Sequence, residues 1–162
     1  MKDKKACIFY FLMTIILLDF GNQLRNISYY SSINTIHNSF LSITHLNNTG
    51  SAFSMFQNNA QILAYFGIFV LAFIAFQVFK NISFNDKNQL LALTLFSAGT
   101  LGNVIERFKF GYVVDYIKLN FINFPVFNAF DIMICTGIFM YCLYILLENK
   151  KVKNDSNKNW WK

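Results

Sequence analysis

Four apolar runs constrain this chain more than anything else in it: Ala6 to Leu24, Gln61 to Phe79, Gln89 to Ile105 and Phe130 to Leu147. At about 1.5 Å of rise per residue, each covers most of the roughly 30 Å hydrocarbon layer of a bilayer when helical. Backbone amides in hydrocarbon must be satisfied within their own structure, and for continuous apolar runs of this length a helix does so. Of 162 residues, 55% are hydrophobic and 20 are Phe, more than a water-soluble domain of this size needs for its core. The expected class is an all-α polytopic membrane protein, a single domain with four transmembrane helices at about 6–24, 61–79, 89–105 and 130–147. Met1-Lys-Asp-Lys-Lys before the first run resembles the start of a cleaved leader. No small-x-small cleavage site follows it, so the run is expected to be retained as a helix.

Charge orients these spans. Lys2, Lys4, Lys5, Lys80, Lys87, Lys150, Lys151, Lys153, Lys158 and Lys162 fall at the N-terminus, the second connection and the C-terminus, whereas only Arg25, Arg107, Lys109 and Lys118 lie in the other two connections. The positive-inside rule then places both termini in the cytoplasm, with outer loops at 25–60 and 106–129 and a cytoplasmic tail at 148–162. Cationic ends flanking membrane helices account for the net charge of +6, and no basic stripe alternates with aromatics as a nucleic-acid surface requires. Cys7, Cys135 and Cys142 sit inside apolar runs as small hydrophobes. His37 and His45 lack an HExxH pattern or a carboxylate at helical spacing, so neither a metal site nor a cofactor is expected.

The first outer loop has a β-leaning stretch, Ser39 to Leu46, followed by a turn at Asn47-Asn-Thr-Gly50. The second outer connection alternates apolar and polar residues at Ile117-Lys-Leu-Asn-Phe121, as a strand or a short interfacial helix would, and its aromatics suit a position against the membrane. The tail after Glu148 reads as disordered, apart from an interfacial Trp160-Trp161 pair.

Against this background two carboxylates stand out. Asp115 lies in Gly102 to Ile117 and Asp131 opens the fourth run; an ionisable group at membrane depth costs about 3 kcal/mol and marks a functional site by default. Counted from the inner helix ends, Asp19, Asn103 and Asp131 lie 13, 14 and 16 residues up. That places all three in one layer, roughly 20–24 Å above the cytoplasmic face. Gly99, Asn103 and Arg107 share one face of the third helix at i,i+4 spacing, combining a small residue, an amide and a cation. Structural explanations compete for each residue. Asn128 and Asp131 have the spacing of a capping box, worth about 1 kcal/mol without any chemistry, although a cap leaves Asp115 unexplained. Asn103 suits an interhelical hydrogen bond, Asp19 a cap or a pairing with Arg25, and Gly50 and Gly111 suit turns.

These segments resemble the lipoprotein signal peptidases, or signal peptidase II, of bacterial inner membranes. The resemblance rests on Asn48-Thr-Gly-Ser-Ala-Phe53, on Gly102-Asn-Val-Ile-Glu-Arg107 running on to Gly111-Tyr-Val-Val-Asp-Tyr-Ile117, and on Phe127-Asn-Ala-Phe-Asp131 followed by Gly137. It covers Asp19 to about Gly137 in matching order. It implies an aspartic endopeptidase that removes the signal peptide from diacylglyceryl-modified prolipoproteins just before the lipidated cysteine. Asp115 and Asp131 match the catalytic pair; Asn48, Gly50, Asn103, Arg107 and Asn128 match positions around the site, and Asp19 the aspartate of the first helix. The implied fold adds a small outer β-cradle and a short outer helix to the four spans. The implied partners are lipid-modified prolipoproteins and membrane lipids, with no nucleic acid, a monomeric state and an active site near the outer face.

Three positions depart from the family pattern. Gln23 stands where Lys is usual, which removes a cationic partner for Asp19; Glu106 replaces Asp with charge preserved; Phe130 replaces a small Ala, which points to a narrower or rearranged pocket. Two carboxylates in a peptidase divide the work, one ionised to accept a proton from water and one protonated to donate. Asp131, in the first turn of its helix, is expected to be the more ionised member. A proton-relay transporter using Asp19, Asp115 and Asp131 would lack acidic stepping stones through the inner half of the bilayer. A serine peptidase would need a Lys or His partner for Ser51 or Ser97, while a non-catalytic scaffold would tolerate Asp→Asn changes at both 115 and 131.

Overall fold

The structure, a computed structural model, describes residues 4–33, 39–50, 59–81 and 86–158. His37, Ser51 to Phe53 and Trp160-Trp161 lie outside these. Four helices, α1 (Lys4–Ile33), α2 (Ala60–Asn81), α3 (Lys87–Phe110) and α4 (Ala129–Lys158), accompany two strands, β1 (Leu41–Asn48) and β2 (Val113–Leu119). By length and apolarity α1, α2 and α4 can each cross a membrane, over Lys4–Tyr29, Ala60–Lys80 and Ala129–Asn149, whereas α3 falls short. The reason lies in the packing. α3 contacts each of the other three helices, and its buried face carries Thr94, Ser97, Thr100, Asn103 and Glu106 among small and aliphatic residues. A helix shielded by its neighbours does not need an apolar perimeter. The surfaces of the other helices turn apolar bulk outward instead: Phe66, Phe69, Phe139 and Leu146 are 65%, 69%, 68% and 67% exposed. Such a surface suits lipid and would drive association in water, so the chain is a membrane-integral protein.

Close contacts hold α3 and α4 together. A Cβ at Gly99 would overlap the Phe130 carbonyl oxygen, and one at Gly137 would lie 2.6 Å from the Phe96 backbone nitrogen. Small residues that admit a neighbouring backbone in this way are how helices associate where lipid removes the hydrophobic drive. α1 meets α3 through a buried bond in which the Tyr10 hydroxyl donates to Ser97 Oγ at 2.7 Å. Thr14, Thr94 and Thr100 satisfy their own hydroxyls on carbonyls one turn back.

Helix ends differ from the apolar runs. α1 continues to Ile33, beyond the expected end at Leu24, where its last turns pack on the strands and the start of α4: Leu24 joins a cluster with Val114, Tyr116 and Ala129, and Ser28 is buried. Hydropathy reports where lipid ends, whereas such contacts decide where a helix ends. α4 likewise runs on to Lys158 through residues expected to be a disordered tail. α3 stops at Gly111, whose φ of 79° is the left-handed cap that glycine adopts freely.

β1 and β2 pair antiparallel, with Leu41 opposite Leu119, Ile43 opposite Ile117 and Leu46 opposite Asp115. Three residue steps on β1 face two on β2 between these last pairs, a bulge at Thr44-His45. The expected strand and turn are displaced toward the C-terminus: Asn47 and Asn48 pair with Val114 and Val113, leaving only Thr49 and Gly50 in the bend. Among the described residues no separate outer helix is present.

Candidate active site

After β2 the chain makes an excursion and returns to the same strand. Phe127 pairs with Ile117, each N–H donating to the other's carbonyl, at 2.8 Å from Ile117 and 3.1 Å from Phe127. The Ala129 amide then donates to the Tyr116 hydroxyl at 3.1 Å. These contacts fasten the start of α4 to β2. Asp115, on the strand, and Asp131, in the first helical turn, are thereby brought to one cavity of about 730 Å³. Cross-strand partners share a face, so Leu46 and Asn48 of β1 line this cavity together with Asp115 and Val113.

Amides surround both carboxylates. Asp115, 2% exposed, accepts from Asn48 Nδ2 on Oδ2 and from Asn128 Nδ2 on Oδ1, both at 2.8 Å. Asp131 accepts from Asn103 Nδ2 on Oδ1 at 2.8 Å and from the Asn128 backbone amide on Oδ2 at 3.0 Å. Asn128 is the common element. Its Oδ1 accepts the Asp131 N–H at 3.0 Å, completing a reciprocal cap, while its Nδ2 also reaches Asn103 Oδ1 at 3.3 Å. The capping box read in the sequence is present, and the same side chain also spans to Asp115. Burial raises Asp115 from the usual carboxylate range to about 6, opposed by the bonds from Asn48 and Asn128.

Arg107 Nη2 donates to the Gly50 carbonyl at 2.9 Å, and Nη1 reaches the Asn103 carbonyl at 3.4 Å. Its charge is thus directed into the cavity without a direct carboxylate partner among the described residues. Asn48 Oδ1 accepts the Gly50 N–H at 3.0 Å, so one asparagine both shapes the bend and holds Asp115. The remaining wall is apolar: Phe124, Pro125 and Val126 of the excursion, and Ile132 and Cys135 on the outward flank of α4.

Asp19 stands apart. It is exposed on α1, accepts from Gln23 Nε2 at 2.6 Å and does not line the cavity. Counting residues along a helix gives depth but not azimuth, and Gln23 occupies the partner role a lysine would take. Arg25 pairs instead with Glu106 at 3.3 Å. Glu106, 2% exposed, accepts the Val114 N–H on its other oxygen at 2.8 Å, joining α1, α3 and the start of β2. In sequence it stands out only as a charge-preserving departure. Its i,i+3 spacing from Asn103 was the signal that it shares the polar face. Phe130 does not line the cavity; it is 2% exposed and packs its ring on another side of α4, against Gly21 and Gly102.

A family profile described as signal peptidase (SPase) II matches residues 11–147. The chain belongs to the signal peptidase II family. The lipoprotein signal peptidase of Streptococcus agalactiae serotype Ia is 40% identical over 119 residues, covering 74% of this chain and 73% of that one. The lipoprotein signal peptidase of Latilactobacillus sakei is 32% identical over 149 residues, covering 88% and 97%. A solved bacterial membrane enzyme, determined by the in meso method at 2.3 Å, superposes with a TM-score of 0.75 at 25% identity, covering 94% of this chain and 92% of that one. The signal peptidase II match takes in α1 from Phe11, both strands, and α4 as far as Leu147, and so includes every residue placed around the cavity.

Proposed function

We propose that this protein is an aspartic endopeptidase that removes signal peptides from diacylglyceryl-modified prolipoproteins, cutting just before the lipidated cysteine, with Asp115 and Asp131 as the reacting pair. The observation that carries this reading is that Asn128 holds both carboxylates at once, at 2.8 Å to Asp115 and in reciprocal bonds of 3.0 Å with Asp131. Two carboxylates this near resist double ionisation and titrate as a unit. We assign the shared proton to Asp115, which burial lifts to about 6 and which lies on the strand, away from any helix N-terminus. Asp131 takes the ionised role, since the N-terminus of α4 favours an anion in its first turn.

Hydrolysis then proceeds in balanced steps. Asp131 takes a proton from water as its oxygen adds to the scissile carbonyl carbon, and Asp115 gives its proton to the carbonyl oxygen. On collapse the C–N bond breaks, the nitrogen takes the proton held by Asp131, and a hydroxyl proton of the intermediate returns to Asp115. Arg107 and the Gly50 bend hold the substrate backbone or headgroup, and the apolar wall with the exposed flank of α4 gives a membrane-held signal helix lateral access. In this reading α3 is a fourth crossing, sheltered by the other three. Both termini lie in the cytoplasm, the cavity sits near the outer face of the inner membrane, and the enzyme works as a monomer among lipids without a cofactor.

Purified protein in detergent or lipid, given a diacylglyceryl-modified prolipoprotein, tests this. Asp115→Asn and Asp131→Asn should each lower kcat by about 10²- to 10⁴-fold. Full cleavage by either variant would overturn the pair, and equal cleavage of the unlipidated precursor would overturn the substrate.

A further inference from the structure

Phe130 stands immediately before Asp131, and its ring occupies a slot with no spare room. A Cβ on Gly21 of α1 or on Gly102 of α3 would overlap the ring, whose other neighbours include Ala98 and Met133, with Leu17 and Leu18 packed against that cluster. The main chain is equally confined, because Gly99 lies directly against the Phe130 carbonyl. α4 otherwise meets α1 along only a small area, so this ring is its chief purchase on that helix.

We propose that Phe130 is a positioning residue: wedged between Gly21 and Gly102, its ring sets the rotation of α4 about its own axis and thereby the placement of the Asp131 carboxylate. The proposal rests on the reading of Asp131 as one of the reacting pair. Adjacent helical residues project about 100° apart, so ring and carboxylate face different sides and turn together. At a side-chain radius of roughly 5–6 Å, a rotation of about 20° carries the carboxylate about 2 Å. That is more than the 2.8 Å bond from Asn103 can follow. A misplacement of about 1 Å at a reacting group costs on the order of 10²-fold in rate. A small residue at 130 leaves α4 free to settle by backbone contact alone. This chain instead uses a large key and two glycines on separate helices.

The test uses full-length protein and the lipidated prolipoprotein, with rates normalised to folded protein. Phe130→Ala should lower kcat by about 10- to 100-fold with KM within about threefold, and should displace the limbs of the pH–rate profile. The charged or ionisable groups on the elements packed around the pair include Asp115, Tyr116 and Lys118 on β2, His45 on β1, Glu106, Arg107 and Lys109 on α3, and Asp19 and Arg25 on α1, with Lys4, Lys5 and Lys87 at the far ends of α1 and α3. All are retained in every variant, so a displaced limb reports geometry. Gly102→Ala should lower kcat in the native background but by less than about twofold in Phe130→Ala, because the methyl then enters space the ring has left. Phe130→Leu, which keeps apolar bulk, should fall between wild type and Phe130→Ala and serves if the alanine variant does not fold. Equal cost of Gly102→Ala in both backgrounds would overturn the proposal. So would unmoved pH limbs in Phe130→Leu or Phe130→Ala alongside wild-type kcat per folded molecule. If Asp131→Asn is inactive while these hold, only the positioning role fails; an active Asp131→Asn would overturn the catalytic reading beneath it.

Discussion

Replacing Asn128 separates two roles that one side chain performs. At the N-cap its Oδ1 accepts the Asp131 N–H, and its Nδ2 donates to Asp115 and Asn103 from a site 1% exposed. Serine is about as good an N-cap as asparagine, so Asn128→Ser keeps the helix start to within a few tenths of a kcal/mol while losing the reach to Asp115. The cost in stability is then that of a buried acceptor left without its donor, about 1–3 kcal/mol. Asn128→Ala adds about 1 kcal/mol for the lost cap. The kinetic signature is distinct from either. The Asn128 bond favours the ionised form of Asp115, so its loss raises Asp115 further, and the alkaline limb of the pH–rate profile moves up by about one unit. Thermal unfolding together with kcat across pH on the serine variant decides the matter. A serine variant with wild-type kcat and an unmoved alkaline limb would reduce Asn128 to a cap and refute the bridging argument.

The raised Asp115 also links stability to pH. A carboxyl lifted from 3.8 to about 6 stabilises the fold fully below its unfolded value and loses that contribution as pH rises toward 6, on the order of 3 kcal/mol. Wild-type Tm should therefore fall over pH 4–6 more than that of Asp115→Asn; parallel curves would argue against burial as the cause. Glu106→Ala strands the Val114 N–H and the Arg25 guanidinium and should lower stability by about 2–4 kcal/mol, read by thermal unfolding, with Glu106→Gln losing less. Tyr116→Phe removes the acceptor for the Ala129 N–H and should cost about 1 kcal/mol while slowing cleavage, as measured by unfolding and initial rates.

Three of the four expected spans, α1, α2 and α4, were legible because lipid imposes a simple requirement on composition and length, whereas α3 carries its polar residues on a face covered by its neighbours. Asp115 and Asp131 could be singled out for the same reason, and the structure brings them to one cavity with Asn48, Asn103 and Arg107. What escaped depended on direction and on distant partners. Asp19 is exposed on α1 and does not line the cavity, because a count of residues along a helix carries no azimuth. The last turns of α1 are helical where Leu24 packs with Val114 and Tyr116 of β2 and Ser28 is buried, and no local pattern encodes those distant contacts. The effect of Phe130 could not be read without knowing that Gly21 and Gly102, on two other helices, open a slot for it. Asn128 read as a cap because a cap is local, whereas its bond to Asp115 depends on the chain returning to β2.

That return has a consequence for how such a protein can diverge. Because Phe127 comes back to Ile117, residues 121–126 form a detour whose two ends are tied, so a change of length there is expected to be absorbed without moving Asp115 relative to Asp131. The same detour supplies Phe124, Pro125 and Val126 to the cavity wall. Under the proposed function, substrate preference could therefore vary with the length and sequence of this segment, while the two carboxylates stay on the strand and the helix that bracket it.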